Sequence, residues 1–442
     1  MGGLVRMLKV SKYTFVCRNK SGELLFYNTL EGVNSFCKLS QDNFDEGFVE
    51  SLDVKYINEA YYGSLREKGI LIEEGTDERR KLYHQMIKTL NPNKLVLFIN
   101  PTEQCNFRCK YCYESHSRGE MSEDTQNNII KFVRENIHNF AGLHVEWFGG
   151  EPLLALDCIR RLSLEFQRIC RFNKRKYDAS MTTNGYLLTK EVFEELLEYN
   201  VKQYQITIDG VEEDHDMFRV LCGGAGTFST ILENIQEIKK LKRRDFSIIL
   251  RSNVSVKNFE SIDDFLKLLE KLSWQDNRIR IGIFKVGNWL DKAQTEIVDE
   301  IIEDTSDMRR IYKAILESEY NIRLSDLFLN PGSGVCYAGK LNNFLICADG
   351  SLHKCTVTFE DKDSVVGKIQ NGRLECNEKF YEMISDFNKC DKVFECFNAP
   401  VCMGEPCPVK GEGGSSCSYF KDTLDIVLQI FDKMGKFDLL EV

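Results

Sequence analysis

The chain has 442 residues, 43% hydrophobic and 29% charged, a balance that predicts two or three globular domains of ordinary soluble character. Its formal charge of -10 argues against nucleic acid as a partner, because a polyphosphate is repelled at long range. No apolar run reaches the roughly 18–20 residues of a membrane helix, and the N-terminus lacks an apolar signal core, so no membrane contact and a cytoplasmic location are expected.

Residues 1–90 read as one block. Strand-like stretches at 14–17, 24–27 and 33–36 precede helical patterns at 45–52 and 54–68 and a short apolar stretch at 70–72. That order predicts a small winged-helix-like module, which lacks a cysteine cluster and so is expected to bind rather than catalyse. A charged helical linker follows at 77–88. From residue 94 strands alternate with helices: "KLVLFIN" (94–100), "HVEWF" (144–148), "DASMTT" (178–183), "QYQITI" (203–208), "SIILRSNV" (247–254) and "RIRIGIF" (278–284). The helices between them are expected at 123–139, 158–171, 190–199, 230–241 and 262–272, with a sixth beginning near 294. Six such units predict an α/β fold, a partial (β/α)6 TIM-like barrel over 91–310, with reactive residues where strands end. The basic run Lys239, Lys240, Lys242, Arg243 and Arg244 reads as a solvated helix C-terminus whose cations match the dipole. In residues 311–442 the rhythm stops. The stretch 330–420 is rich in Cys, Gly and Asn, so it is expected to build little apolar core and to be held by metal, with a closing helix at 423–434.

Seventeen cysteines in a reducing compartment read as metal ligands or catalytic groups rather than disulfides. "QCNFRCKYCYE" places Cys105, Cys109 and Cys112 as C-x3-C-x2-C directly after the first barrel strand. Three thiolates on one loop can hold three corners of a 4Fe–4S cube and leave one iron open to a small molecule. The alternative is zinc with a distant fourth ligand, although zinc knuckles usually use C-x2-C pairs.

With this motif the sequence resembles the radical S-adenosylmethionine enzymes, over about residues 94–300. Tyr111 supplies the aromatic before the third cysteine, and "FGGEP" (148–152) resembles the family's glycine-glycine-glutamate motif. The resemblance implies that Gly149, Gly150 and Glu151 hold the methionine amino group of the cofactor. "TTNG" (182–185), with Thr183 and Asn184, and "ITIDG" (206–210) end the third and fourth strands. The resemblance gives Thr207 a role at the cofactor carboxylate, with one arginine, Arg219 or Arg251, pairing with it and Ser252 and Asn253 on the ribose. Each of these single residues reads equally well as a structural hydrogen bond or a surface charge. The implied chemistry is reductive cleavage of S-adenosylmethionine to a 5′-deoxyadenosyl radical that abstracts hydrogen from an unactivated C–H bond. No acid or base is assigned.

Near the C-terminus, Cys336, the run Gly350-x4-Cys355, then Cys390-x5-Cys396-x5-Cys402-x4-Cys407, and Cys417 resemble a SPASM domain. The resemblance implies two auxiliary 4Fe–4S clusters, three in all. Cys336, Cys355 and Cys407 would serve the first, and Cys390, Cys396, Cys402 and Cys417 the second. Cys347, in "FLIC", is either the missing ligand or a buried core thiol. The spacings Cys390–Cys396 and Cys402–Cys407 are wider than the family's. The remaining cysteines (Cys17, Cys37, Cys158, Cys170, Cys222, Cys376) read as packing residues.

SPASM enzymes mostly act on peptides, and block 1–90 resembles the leader-recognition element of ribosomal-peptide maturases, where a peptide pairs with a strand edge beside a helix groove. A dimerisation or packing role is the alternative. The implied activity is maturation of a precursor peptide by a thioether or related cross-link, with electrons from a flavodoxin or ferredoxin. Alternatives are an anaerobic sulfatase maturase forming formylglycine, a carbon–carbon cross-linking or epimerising enzyme, and a non-catalytic iron–sulfur electron carrier or scaffold. Against sulfatase maturation stand the long segment before Cys105 and Thr356, which occupies the position of that family's aspartate base. The intact Gly149-Gly150-Glu151 motif argues against a carrier.

Overall fold

A computed structural model describes residues 7–287, 299–302, 305–384, 393–404 and 419–441. The chain forms two units, one of residues 1–90, 308–336 and 385–442, the other of 91–307 and 337–384.

In the first unit, Leu8–Val10 (β1) pairs antiparallel with Leu71–Glu73 (β5), and Thr14–Arg18 (β2), Leu24–Asn28 (β3) and Cys37–Leu39 (β4) form an antiparallel sheet. A short strand, Asp438–Leu439, joins β4 in parallel. All five residues of β3 are buried, because Phe48, Ile57 and Leu65 pack with it on one side and the helix Tyr419–Lys433 covers it on the other. The expected strand at 33–36 is instead a 3-10 turn, Gly32–Ser35, and β4 follows it. Gly32 adopts φ +67°, which turns the chain, and Phe36 stacks on Phe437 at 4.4 Å between ring centroids. The helical linker expected at 77–88 is the helix Glu78–Leu90, and it does more than link: it buries Leu82, Met86 and Leu90 beside Val335, Ala399 and Met403. Arg79, Arg80, Lys81 and Lys88 occupy the outer face while Glu78 is buried against Ser11, so composition disguised a core element. Block 1–90 is thus part of a unit that also draws on two later segments.

The second unit contains the barrel. Leu95–Ile99 (β6), Gly142–Trp147 (β7), Lys176–Thr183 (β8), Val201–Thr207 (β9), Ser247–Val254 (β10) and Ile279–Lys285 (β11) run parallel in chain order. Helices Glu123–Asn136, Leu156–Phe172, Lys190–Glu198, Phe228–Lys239 and Ile262–Ser273 lie between them; the helix expected near 294 falls outside the described residues. Strand periodicity sets the two faces. In β7, Leu143, Val145 and Trp147 are fully buried, while His144 and Glu146 take the alternate face with Phe148, which opens on a cavity. The basic run does end a helix. Lys239 Nζ donates to the carbonyls of Lys271 and Leu272 at 2.8 and 2.9 Å, closing the neighbouring helix, and Arg243 pairs with Glu198 and Asp245.

The cysteine-rich segment departs from expectation. Asn343–Ile346 (β12) adds parallel to β6, and Ser351–His353 (β13), Gly367–Gln370 (β14) and Arg373–Cys376 (β15) follow antiparallel, completing a ten-stranded sheet. Leu345, Ile346 and Leu352 are fully buried there. This part has an apolar core of its own and extends the barrel sheet. Among the described residues no helix is long and apolar enough to cross a membrane.

Candidate active site

The loop after β6 brings the three clustered cysteines to the upper rim of the barrel. Its backbone lies directly on the glycines that follow β7. A Cβ on Gly149 would sit 2.3 Å from the Thr102 carbonyl oxygen, and one on Gly150 2.3 Å from that of Gln104. Gly149 also takes φ +104°. The Glu151 amide donates to the Gln104 carbonyl at 2.9 Å, and farther along Arg108 and Lys110 donate to the carbonyls of Val220 and Phe218. Protein bonds therefore set the loop geometry at both ends.

Cys105, Cys109 and Cys112 line one cavity of about 370 Å3. Burial pushes all three thiols upward, Cys112 to about 12, opposed at Cys109 and Cys112 by the Arg219 cation. Thiolates in this position call for a bound cationic metal. Cys105 Sγ accepts the Phe107 amide at 3.4 Å.

Opposite the thiols, Tyr111 hydroxyl donates to Asp209 and accepts from Arg219 Nη1 at 2.8 Å. Asp209 Oδ1 also accepts the Asn253 amide at 2.8 Å and its Nδ2 at 3.1 Å. Arg251 Nε donates to Asn253 Oδ1 at 2.8 Å, and its guanidinium lies 4.1 Å from the centroid of Phe284. His215 supports Arg219 from behind. Burial holds this imidazole well below its ordinary pKa, and Nδ1 accepts the Asp209 amide at 3.2 Å. The proton is therefore on Nε2, donated to Thr227 Oγ1 at 3.1 Å, which in turn donates to the Arg219 carbonyl at 2.7 Å. Arg219 is 7% exposed, and its Nε has no hydrogen-bond partner among the described residues.

Of the residues assigned to the cofactor, Tyr111, Gly149, Gly150, Thr183, Asn184, Thr207, Arg219, Arg251 and Asn253 line the cavity. Glu151 does not. Fully buried, its carboxylate accepts from the Leu153 amide at 3.1 Å, Thr183 Oγ1 at 2.8 Å and the Asn184 amide at 2.8 Å. Burial raises it to about 7 despite those donors. Ser252 takes the other face of β10 from Arg251 and Asn253, fully buried and with no hydroxyl partner among the described residues.

Two residues escaped the sequence reading. Asp209 organises one wall, and its signal was an acid one step past a strand end. Tyr337 lines the cavity with Thr356; their hydroxyls are 2.5 Å apart, and the Thr356 amide donates to Tyr337 Oη at 2.9 Å. The Tyr337 ring lies 4.5 Å from that of Phe98.

Among the C-terminal cysteines, Cys355 repeats the geometry of Cys105, its Sγ accepting the amide two residues on, Val357, at 3.4 Å. Cys347 is fully buried against Leu345 and Phe359. Cys336, Cys396 and Cys402 belong to the other unit, and Cys390, Cys407 and Cys417 lie outside the described residues. Among the described residues no three His, Cys, Asp or Glu side chains converge as a single ion requires. A 4Fe–4S cube gives each thiolate its own iron and does not demand such convergence. Three thiols on one wall, close backbone at Gly149–Gly150 and the unused Arg219 N–H fit a cluster carrying a chelating amino acid.

Fold and site define a radical S-adenosylmethionine domain: residues 99–272 match the Radical SAM superfamily. The chain is 24% identical over 215 residues to Fe-coproporphyrin III synthase of Methanosarcina barkeri, covering 49% of this chain and only half of that protein. It is 25% identical over 368 residues to the cysteine-type anaerobic sulfatase-maturating enzyme of Clostridium perfringens, covering 76% of this chain and 93% of that one. Two solved structures share the fold. One is anSMEcpe with bound AdoMet and Cp18Cys peptide (TM-score 0.56, 20% identity, 77% of this chain and 98% of that one). The other is Streptococcus suis SuiB bound to precursor peptide SuiA (TM-score 0.50, 14% identity, 93% of this chain and all of that one).

Proposed function

We propose that this radical S-adenosylmethionine enzyme matures a ribosomally made precursor peptide, installing a thioether between a cysteine sulfur and a carbon, or a related cross-link. The observation that carries the reading is the single cavity bounded by the thiols of Cys105, Cys109 and Cys112, the Arg219–Asp209–Tyr111 network and the Tyr337–Thr356 pair. When bound, a 4Fe–4S cluster and S-adenosylmethionine supply a 5′-deoxyadenosyl radical able to take a hydrogen atom from the substrate. Cys105, Cys109 and Cys112 would hold the cluster, and Gly149 and Gly150 would give the cofactor close approach to backbone. Arg219, held by Tyr111 and His215, would meet its carboxylate. Glu151 would act one layer back, fixing Thr183 and Asn184. Phe107, Phe148 and Tyr337 would exclude water.

A peptide substrate is supported by the related folds, since anSMEcpe was solved with Cp18Cys peptide and SuiB with SuiA. In the same reading, block 1–90 recognises the leader, the C-terminal cysteines hold two auxiliary clusters, and a flavodoxin or ferredoxin delivers electrons. Sulfatase maturation is the second reading, favoured by the long match to the Clostridium perfringens enzyme. The Thr356 hydroxyl, engaged by Tyr337, is no base at neutral pH.

Reduced, iron-loaded protein incubated with S-adenosylmethionine should form 5′-deoxyadenosine, and the Cys105/Cys109/Cys112→Ala variant should form none. A peptide encoded beside the gene should then lose the mass of two hydrogens. Formylglycine on a sulfatase peptide would instead establish the second reading.

A further inference from the structure

Below the cavity, the inner face of the barrel carries a continuous chain of hydrogen bonds. In register on β7 and β8, His144 stands beside Asp178 and Glu146 beside Ser180. His144 Nδ1 lies 2.5 Å from Asp178 Oδ2, and Nε2 lies 2.8 Å from Ser180 Oγ. The Ser180 hydroxyl also meets Glu146 Oε2, whose other oxygen accepts from Thr182 Oγ1 at 3.0 Å. Lys94 Nζ holds Asp178 Oδ1 at 2.6 Å. One end of the chain reaches solvent, the side chains of Lys94 and Asp178 being 37% and 41% exposed. At the other end, Thr182 lines the cavity.

Counting protons shows why this arrangement can do more than hold strands together. Ser180 has one hydroxyl proton and two neighbours able to accept it. With His144 as imidazolium, Nε2–H donates to Ser180 and Ser180 donates to the Glu146 carboxylate. With His144 neutral, its one N–H is on Asp178, so Ser180 donates to Nε2 and a protonated Glu146 donates to Ser180. Every atom is partnered in both cases. The two arrangements differ only by one proton moved between His144 and Glu146 while the Ser180 hydroxyl turns over. Burial raises Glu146 above the ordinary carboxylate range, and Ser180, His144 and Thr182 offset only part of that. Burial also acts on Asp178, yet bonds from His144 and Lys94 bring it down to about 2, so it stays an anion on Nδ1–H. In register on the flanking strands are Val96 and Phe98 of β6 and Gln203 and Gln205 of β9, none of them charged.

We propose that Thr182, Glu146, Ser180, His144 and Asp178 form a proton relay from the reaction cavity to solvent at the lower mouth of the barrel. The inference rests on the peptide-maturation reading. In thioether formation one C–H and one S–H bond break and one C–S bond forms. The carbon's hydrogen leaves as an atom on 5′-deoxyadenosine, one electron passes to an oxidised iron–sulfur cluster, and the thiol hydrogen leaves as a proton. That proton passes to Thr182 Oγ1 as the Thr182 proton moves to Glu146. Ser180 hands one on to His144 Nε2, the Nδ1 proton leaves at the Asp178 end, and return of the imidazole to its Nδ1–H tautomer with the hydroxyls turned back resets the chain.

The test compares wild type with Glu146→Gln, Glu146→Asp and Ser180→Ala on the precursor peptide. In Glu146→Gln and Ser180→Ala, 5′-deoxyadenosine should form as in wild type while cross-linked peptide falls at least tenfold, and Glu146→Asp should keep more product than Glu146→Gln. Product formation by wild type in water–deuterium oxide mixtures should give a curved proton inventory, because several protons move together. Variants that match wild type, or that lose 5′-deoxyadenosine and product in parallel, would overturn the relay alone. A wild-type enzyme that cross-links no peptide would overturn both the relay and the reading beneath it.

Discussion

Glu151 places an ionisable group where no solvent reaches it, and its titration should register in the stability of the metal-free protein. Its folded pKa, about 7, exceeds the ordinary 4.5 because burial penalises the charge. The neutral form is the one folding favours. The contribution is therefore fully present below about pH 4.5 and is lost as pH rises through about 7. Metal-free wild type should lose up to about 3 kcal/mol between pH 5 and pH 8, and Glu151→Gln should flatten that slope in urea titrations. Parallel slopes for the two proteins would refute it. Gly150 tests packing in place of charge. An alanine methyl there meets backbone oxygens of Gln104 and Glu103, at 2.3 and 2.7 Å, which have little room to yield. Gly150→Ala should cost about 2–3 kcal/mol and lower the iron bound per chain, measured by urea midpoint and iron assay. At this scale the cysteine loop and its glycines were legible because their spacing is local. Asp209 and Tyr337 were not, because each acquires its role from distant partners: Tyr111 lies 98 positions from Asp209.

Among the elements, β12 and β13 show how a short segment is fixed by charge placed inside. Lys354 is 2% exposed, and its Nζ donates to the carbonyls of Lys340 and Asn343 at 2.5 and 2.7 Å, over the rings of Phe344 and Phe380. Lys354→Met keeps the stem but leaves both carbonyls without that donor. It should destabilise the protein by about 2–4 kcal/mol and speed amide exchange in β12 and β13. Unchanged exchange there would mean that sheet pairing alone holds the hairpin. The six barrel strands were readable because each repeats the strand–helix alternation. Four residues, "NFLI", are too few for a period, and the pairing of β12 with β6 comes from opposite ends of the unit. The helix Glu78–Leu90 was legible as a helix but not as a core element for a related reason: three buried apolar residues, Leu82, Met86 and Leu90, decide its role among polar and charged neighbours.

At the scale of the whole molecule, the question is whether the proposed cluster site at Cys105, Cys109 and Cys112 depends on the proposed auxiliary ones. Backbone bonds from Gln104 to Glu151 and from Arg108 and Lys110 to segment 218–220 hold its loop without any sulfur ligand. The barrel core behind it is apolar and complete, with Leu97, Val145, Trp147 and Ile206 fully buried. Removing the three thiols therefore takes away ligands and leaves the surrounding fold intact. It also leaves Cys336, Cys347, Cys355, Cys396 and Cys402 on chain segments outside that loop. If each proposed cluster is a 4Fe–4S cube, wild type should bind about twelve irons and Cys105/Cys109/Cys112→Ala about eight, with matching sulfide. The variant should keep the wild-type far-ultraviolet circular dichroism. Loss of nearly all iron with the fold retained would show that the auxiliary sites load only through the first, whereas about four irons in wild type would refute the auxiliary clusters themselves.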